Sequence, residues 1–218
     1  GLTYVPSLSS RDVGVACTAG VTRPKSILCQ RLLKVRKRIS KIKSIARTNR
    51  SARKLYTASA HPAATFGHEA CGLSPYQLMT LERQALSCSG INPNGRCRAT
   101  SLCVVYGLHG TPHARIIRDT IKLWFQLLRT DQFKYSVGQA WVSARKALSS
   151  SNKPYSAVRG IMSNVIYILK CAGWNPYAFD LWVDTNGGHW KPNRAESHNI
   201  VSAQIIRDAH KSQLSRIT

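Results

Sequence analysis

The sequence predicts a mainly α-helical bundle with a basic N-terminal helix, a candidate short strand near its start and one small β-hairpin near residues 178–191. Three observations lead there. Apolar residues recur at spacings of three and four over most of the chain, the period of a helix face. Gly, Pro and Ser stand where those stretches begin or end. The period then changes: Phe179, Leu181 and Val183 alternate with Asp180, Trp182 and Asp184.

Each element follows in order. Residues 12–19, Asp-Val-Gly-Val-Ala-Cys-Thr-Ala, form the candidate strand. Leu28, Leu32, Val35, Ile39, Ile42 and Ala46 then mark one apolar stripe on a helix. Ser74-Pro75-Tyr76-Gln77 is a helix start: Ser caps, Pro takes the first helical position, and Gln three residues on closes a capping box. Leu78, Leu81, Ala85 and Met79 give that helix its apolar face, and Gly90 stops it. Residues 112–129 repeat the pattern with Ile116, Ile117, Thr120, Leu123, Trp124, Leu127 and Leu128 inward. Two more amphipathic helices are expected near 133–149 and 154–172, the second carrying Val158, Ile161, Met162, Val165, Ile166 and Leu169. Asn186-Gly187-Gly188 turns the hairpin towards His189-Trp190. Residues 194–216 return to helix, with Ile200, Val201, Ile205, Ile206 and Ala209 apolar. The expected organisation is 1–22 as the end of an upstream domain, 23–60 as the basic helix region, 61–173 as a helical bundle, and 174–218 as hairpin plus C-terminal helix.

Charge narrows the function. The 218 residues hold 32 Lys and Arg against 9 Asp and Glu, a formal charge of +23. Such a chain is ill suited to cationic ligands and well suited to a polyanion, nucleic acid or an anionic membrane surface. Residues 23–54 hold thirteen of the basic side chains, and no acid occurs between Asp12 and Glu69. A solvated helix face ordinarily mixes signs; cations with no anion repel one another without gain. An interfacial membrane helix would carry Trp or Phe on its apolar face, and residues 23–54 contain neither. Nucleic acid is the preferred partner. The candidate phosphate-contacting residues are Arg31, Lys34, Arg36, Lys37, Arg38, Lys41, Lys43, Arg47, Arg50, Arg53 and Lys54.

Catalytic and metal patterns are weaker. Cys88, Cys97, Cys103, His109 and His113 fall close together, but only the His pair has a zinc-like spacing, so buried thiols and surface histidines are the preferred reading. No Gly-x-Ser-x-Gly elbow, Gly-x-x-x-x-Gly-Lys loop or Asp-Asp pair occurs. Asp180 and Asp184, four apart on one expected strand, share a face but have no third acid beside them. The five tryptophans could stack bases, although core or cross-strand packing suits them better. No apolar run is long enough to span a bilayer. Seven cysteines, widely spaced and without Cys-x-x-Cys, point to reduced thiols in an intracellular setting, nuclear or cytoplasmic. Gly1-Leu2-Thr3-Tyr4 reads as the opening of an excerpt or a processed product.

Several motifs, in this order, resemble a known family. Arg11-Asp12-Val13-Gly14-Val15 and Thr18-Ala19-Gly20 precede the basic helix; His61-Pro62-Ala63-Ala64-Thr65-Phe66-Gly67-His68-Glu69-Ala70-Cys71-Gly72-Leu73-Ser74 follows it. The series is similar to the stretch after the palm in non-LTR-retrotransposon-like reverse transcriptases, especially the divergent dinoflagellate-type open reading frames. Val13-Gly14 stands for that family's Leu-Gly, Phe66-Gly67 for its Tyr-Gly and Ala70 for its Val, while Glu69 and Gly72-Leu73-Ser74 match directly. The resemblance runs on loosely through Asn92 to Arg98 and from Gly173-Trp174 to Gly187-Gly188. It implies a thumb-and-connection segment of an RNA-directed DNA polymerase, gripping the RNA and DNA of a template–primer duplex behind an upstream palm. The catalytic aspartates and their magnesium would belong to that palm, with no cofactor in this segment. A stand-alone basic RNA-binding or structural protein is the alternative, and a metal-dependent nuclease a third.

Overall fold

The computed structural model of the chain describes residues 9–12, 15–18, 26–92, 94–192 and 197–215, with side chains from Ser26 onward except at 131–135. Strands β1 (Ser9–Asp12) and β2 (Val15–Thr18) pair antiparallel, Ser9 opposite Thr18 and Asp12 opposite Val15. The expected strand at 12–19 is thus largely β2; residues 13, 14 and 19 lie outside the described residues.

Helix α1 (Ser26–Thr48) buries the whole predicted stripe, from Leu28 to Ala46. Asn49 ends it, its side chain accepting from the Ser51 amide at 2.9 Å. The chain then folds back on α1 as one continuous helical run: a 3-10 turn at Arg50–Ala52, α2 (Arg53–Leu55), a π-helical turn at Tyr56–Ala60, and α3 (His61–Thr65). Pro62 lacks an N–H and crowds the carbonyl four residues earlier, so a widened turn just before it relieves the ladder. The short α4 (His68–Cys71) leads to α5 (Pro75–Ser87), which opens on the predicted capping box: Gln77 N donates to Ser74 Oγ at 3.2 Å, and Ser74 N to Gln77 Oε1 at 2.9 Å.

Helix α6 (Arg98–Tyr106) has no counterpart in the sequence reading, because Arg-Ala-Thr-Ser-Leu-Cys-Val-Val-Tyr mixes β-branched and polar residues without a clear stripe. Next come α7 (Pro112–Leu128), capped by Thr111, and α8 (Asp131–Ser149). On α7 the inward set gains Ile121 and Phe125, while Leu123 and Leu127 are only half-buried. Helix α9 (Ile161–Cys171) starts later than expected, since residues 154–157 form a separate 3-10 turn around Pro154.

The hairpin is the centre and edge of a three-stranded antiparallel sheet, ordered β3 (Asn175–Ala178), β4 (Leu181–Val183), β5 (His189–Trp190). Strand β3 contains Pro176, which argues against a strand in sequence but is tolerated at a sheet edge. Helix α10 (His198–Leu214) closes the described fold; Val201, Ile205, Ile206 and Ala209 are buried, but Ile200 is exposed.

Two hydrophobic clusters form the core. One gathers the α1 stripe with Tyr56, Leu73, Leu81, Leu86, Leu102 and Ile116. The other gathers α7 to α10 and the sheet around Trp124, Trp141, Trp174 and Trp182. Helix α7 serves both, because Ile116 and Ile117 project on different sides of it.

Four of the five tryptophans are buried in the core and Trp190 is half-buried against it, the core or cross-strand packing that the sequence favoured. Trp124 and Trp141 lie 5.3 Å apart and donate their N–H groups to the carbonyls of Phe179 and Pro176, tying helices to sheet. Trp182 faces Trp190 across the hairpin, and Trp190 stacks on Trp174. Helices α5, α6, α7, α9 and α10 line an open pocket of about 540 Å³.

Candidate nucleic-acid interface

Helix α1 has eight basic residues and no acid in 23 positions. Six pairs of these cations stand three or four residues apart: Arg31/Lys34, Lys34/Lys37, Lys34/Arg38, Lys37/Lys41, Arg38/Lys41 and Lys43/Arg47. At a few tenths of a kcal/mol each, their repulsion costs about 1–3 kcal/mol. Burial of Leu28, Leu32, Val35, Ile39 and Ile42 contributes on the order of 10 kcal/mol, so packing wins and holds the cations in place.

Helical spacing sorts these cations. Arg31, Lys34, Arg38 and Lys41 run along one flank of the buried stripe, Arg36, Lys43 and Arg47 along the other, with Lys37 opposite it. The helix is about 34 Å long, a span over which a duplex carries roughly twenty phosphate charges. Lys34, Arg36, Lys37, Arg38, Lys41, Lys43, Arg47, Arg50 and Lys54 are all exposed, and Arg53 is half-buried. The reversal at Asn49 sets Arg50, Arg53 and Lys54 at the C-terminal end of α1. Among the described residues no carboxylate forms an ion pair with any of these ten.

Arg31 differs. It is half-buried, donates from Nη1 to the Phe66 carbonyl, and lies over the Phe66 ring with its guanidinium carbon 5.1 Å from the centroid. Phe66 itself is exposed, at the break between α3 and α4. The sequence marked it only as part of the Phe66-Gly67 motif and not as a neighbour of α1, because only the tertiary structure sets it beside that helix.

Glu82, Asp208 and Asp184 are occupied elsewhere. Glu82 accepts from Arg98 Nε at 2.7 Å; burial pushes its carboxyl above the usual range, with Arg98 opposing. Buried Asp208 accepts from Trp174 Nε1 at 2.9 Å. Asp184 accepts from the amides of Asn186 and Gly188, each at 2.8 Å, and from Trp190 Nε1 at 2.9 Å. The Trp190 bond leads the causes that hold its carboxyl below the usual range. Asp180 and Asp184 do not share a strand face as expected, since β4 is limited to Leu181–Val183 and they flank it. Asp184 is therefore a turn residue.

The Cys/His group does not assemble as one set: Cys103 and His113 line a small cavity with His210, whereas Cys88 packs against α1. Cys88 is buried against α1, and burial raises its thiol to about 11. Cys103 Sγ lies 3.7 Å from His210 Nε2, but burial pushes that thiol up as well, which disfavours a nucleophilic thiolate. His113 Nδ1 pairs with Gln213 Nε2 at 2.8 Å. Among the described residues no group of three or more His, Cys, Asp or Glu could hold a metal ion. Nor is any described helix long and apolar enough to cross a membrane. No protein-family model, curated protein or solved structure matches the chain.

Proposed function

We propose that this chain is a non-catalytic, nucleic-acid-gripping part of a retroelement reverse transcriptase, in which α1 and the turn after it contact template–primer phosphates. The observation that carries the reading is the row of exposed cations on a helix whose apolar stripe is fully packed, with no carboxylate beside them among the described residues. Such a surface positions a phosphate backbone without reading its sequence. The motifs from Arg11 to Ser74 supply the polymerase context, and the palm with its magnesium would lie upstream.

Binding to an RNA–DNA duplex across a salt series tests it. The wild-type chain binds tightly, indifferent to sequence, with a steep fall in affinity as salt rises. Changing Lys34, Lys37, Arg38 and Lys41 to Gln lowers the slope of log K against log salt by roughly 3.5, about 0.9 per lost phosphate contact. Reversing the same four to Glu abolishes binding with the circular dichroism spectrum unchanged, because all four side chains are exposed. Unchanged affinity in the reversed variant would overturn the reading.

A further inference from the structure

Phe66 and Tyr177 are both exposed aromatics backed by an arginine, Arg31 and Arg145 respectively, but only the arginine behind Phe66 lies on α1. Scattered exposed side chains such as Val104 and Val142 are ordinary. The Phe66 ring, 53% exposed, is instead backed on one face by the Arg31 guanidinium, 5.1 Å from its centroid. Its backbone is held too: the Phe66 amide donates to the Pro62 carbonyl at 3.0 Å, and its own carbonyl accepts from Arg31. Gly67, at φ +77, turns the chain just after it, so the ring is presented outwards at the break between two helices. Arg31 begins the flank that continues through Lys34, Arg38 and Lys41. A rigid aromatic face thus stands at one end of a row of phosphate-seeking cations, and little entropy is lost when something stacks on it.

We propose that Phe66 is a stacking site for an unpaired nucleobase, so that the interface takes a duplex carrying a single-stranded extension in preference to a blunt one. The proposal rests on the nucleic-acid reading of α1. Cations grip the backbone of the paired region, and the first unpaired base past it lies on the outer face of the ring. Stacking is indifferent to sequence, since every base has a π-face, and an Arg behind the ring adds cation–π attraction.

Fluorescence anisotropy with the full chain tests this on two RNA–DNA duplexes, one blunt and one with a five-nucleotide overhang, the overhang made once in RNA and once in DNA. Wild type binds the overhang duplex roughly tenfold more tightly than the blunt one. Phe66→Leu keeps an apolar side chain but removes the π-face; it erases that tenfold increment while leaving the blunt affinity and the salt slope intact. Phe66→Trp restores the preference. Equal weakening of both duplexes by Phe66→Leu would make Phe66 a structural residue and overturn the proposal, as would an overhang preference that survives the change. Failure of the parent reading looks different: the α1 Glu reversal then binds as well as wild type, whatever Phe66 does, and both readings fall together.

Discussion

At the scale of single residues, Gly72 shows how little freedom the join between the two clusters has. Its φ of +62 with ψ of 177 belongs to a region open essentially to glycine. An added Cβ would lie 2.7 Å from Asn164 Oδ1 and 3.0 Å from Val158 Cγ1. Asn164 is itself buried, and its Nδ2 donates to the carbonyls of His68 at 3.2 Å and Glu69 at 3.0 Å. Gly72→Ala therefore strains the backbone and pushes away the side chain that satisfies α4. The expected cost is about 2–4 kcal/mol, read as a fall in Tm of roughly 5–15 °C. Gly95→Ala is the control: Gly95 also has positive φ, at +70, but open space around its missing side chain, so only backbone strain of about 1 kcal/mol is expected. Equal losses at the two positions would show that the Asn164 contact contributes nothing.

At the scale of elements, α1 carries its own repulsion, and that has a thermal signature. Raising sodium chloride from 0.1 to 1 M shortens the screening length from about 10 to 3 Å. Relief of the six like-charge pairs should raise Tm by roughly 2–4 °C for each kcal/mol recovered. In a variant with Lys34, Lys37, Arg38 and Lys41 changed to Gln, the salt response flattens. A Tm indifferent to salt in the wild type would mean that the cations are already neutralised within the fold. The same helix shows what a sequence can reveal. Its stripe is a single-period signal inside one segment, so Leu28 to Ala46 could be read without any partner. Ser74 and Gln77 were equally legible because a capping box is local. Helix α6 and strand β3 were not: Val104 is exposed while Ser101 is buried on α6, and Pro176 survives only because β3 is an edge.

At the scale of the whole molecule, stability should depend on pH through His61, which is buried, and His113, which is half-buried. Burial lowers His61 to about 4, helped by the positive charge of Arg115 and by His68; burial likewise lowers His113 to about 4, helped by His210. The unfolded chain takes up these protons near pH 6.5, the folded chain only near 4. Between those values the unfolded state binds more protons, so the stability present above pH 6.5 is lost as pH falls towards 4. The slope is up to about 1.4 kcal/mol per pH unit for each group. Urea unfolding at pH 7.5, 6 and 5 measures it, and His61→Gln and His113→Gln should each flatten the dependence. A slope unchanged in both variants would place the acid sensitivity elsewhere.

The sequence by itself determined the helical class, the apolar stripe of α1 and the excess of cations on that helix, because periodicity and composition are properties of neighbouring residues. Tertiary structure alone decided that Arg31 reaches Phe66, that Arg98 neutralises Glu82, that Asp184 belongs to a turn, and that the described Cys and His residues form no group able to hold a metal ion. Arg31 and Phe66 are 35 positions apart. No local pattern encodes such a contact; it exists because the chain reverses at Asn49 and packs α3 back on α1.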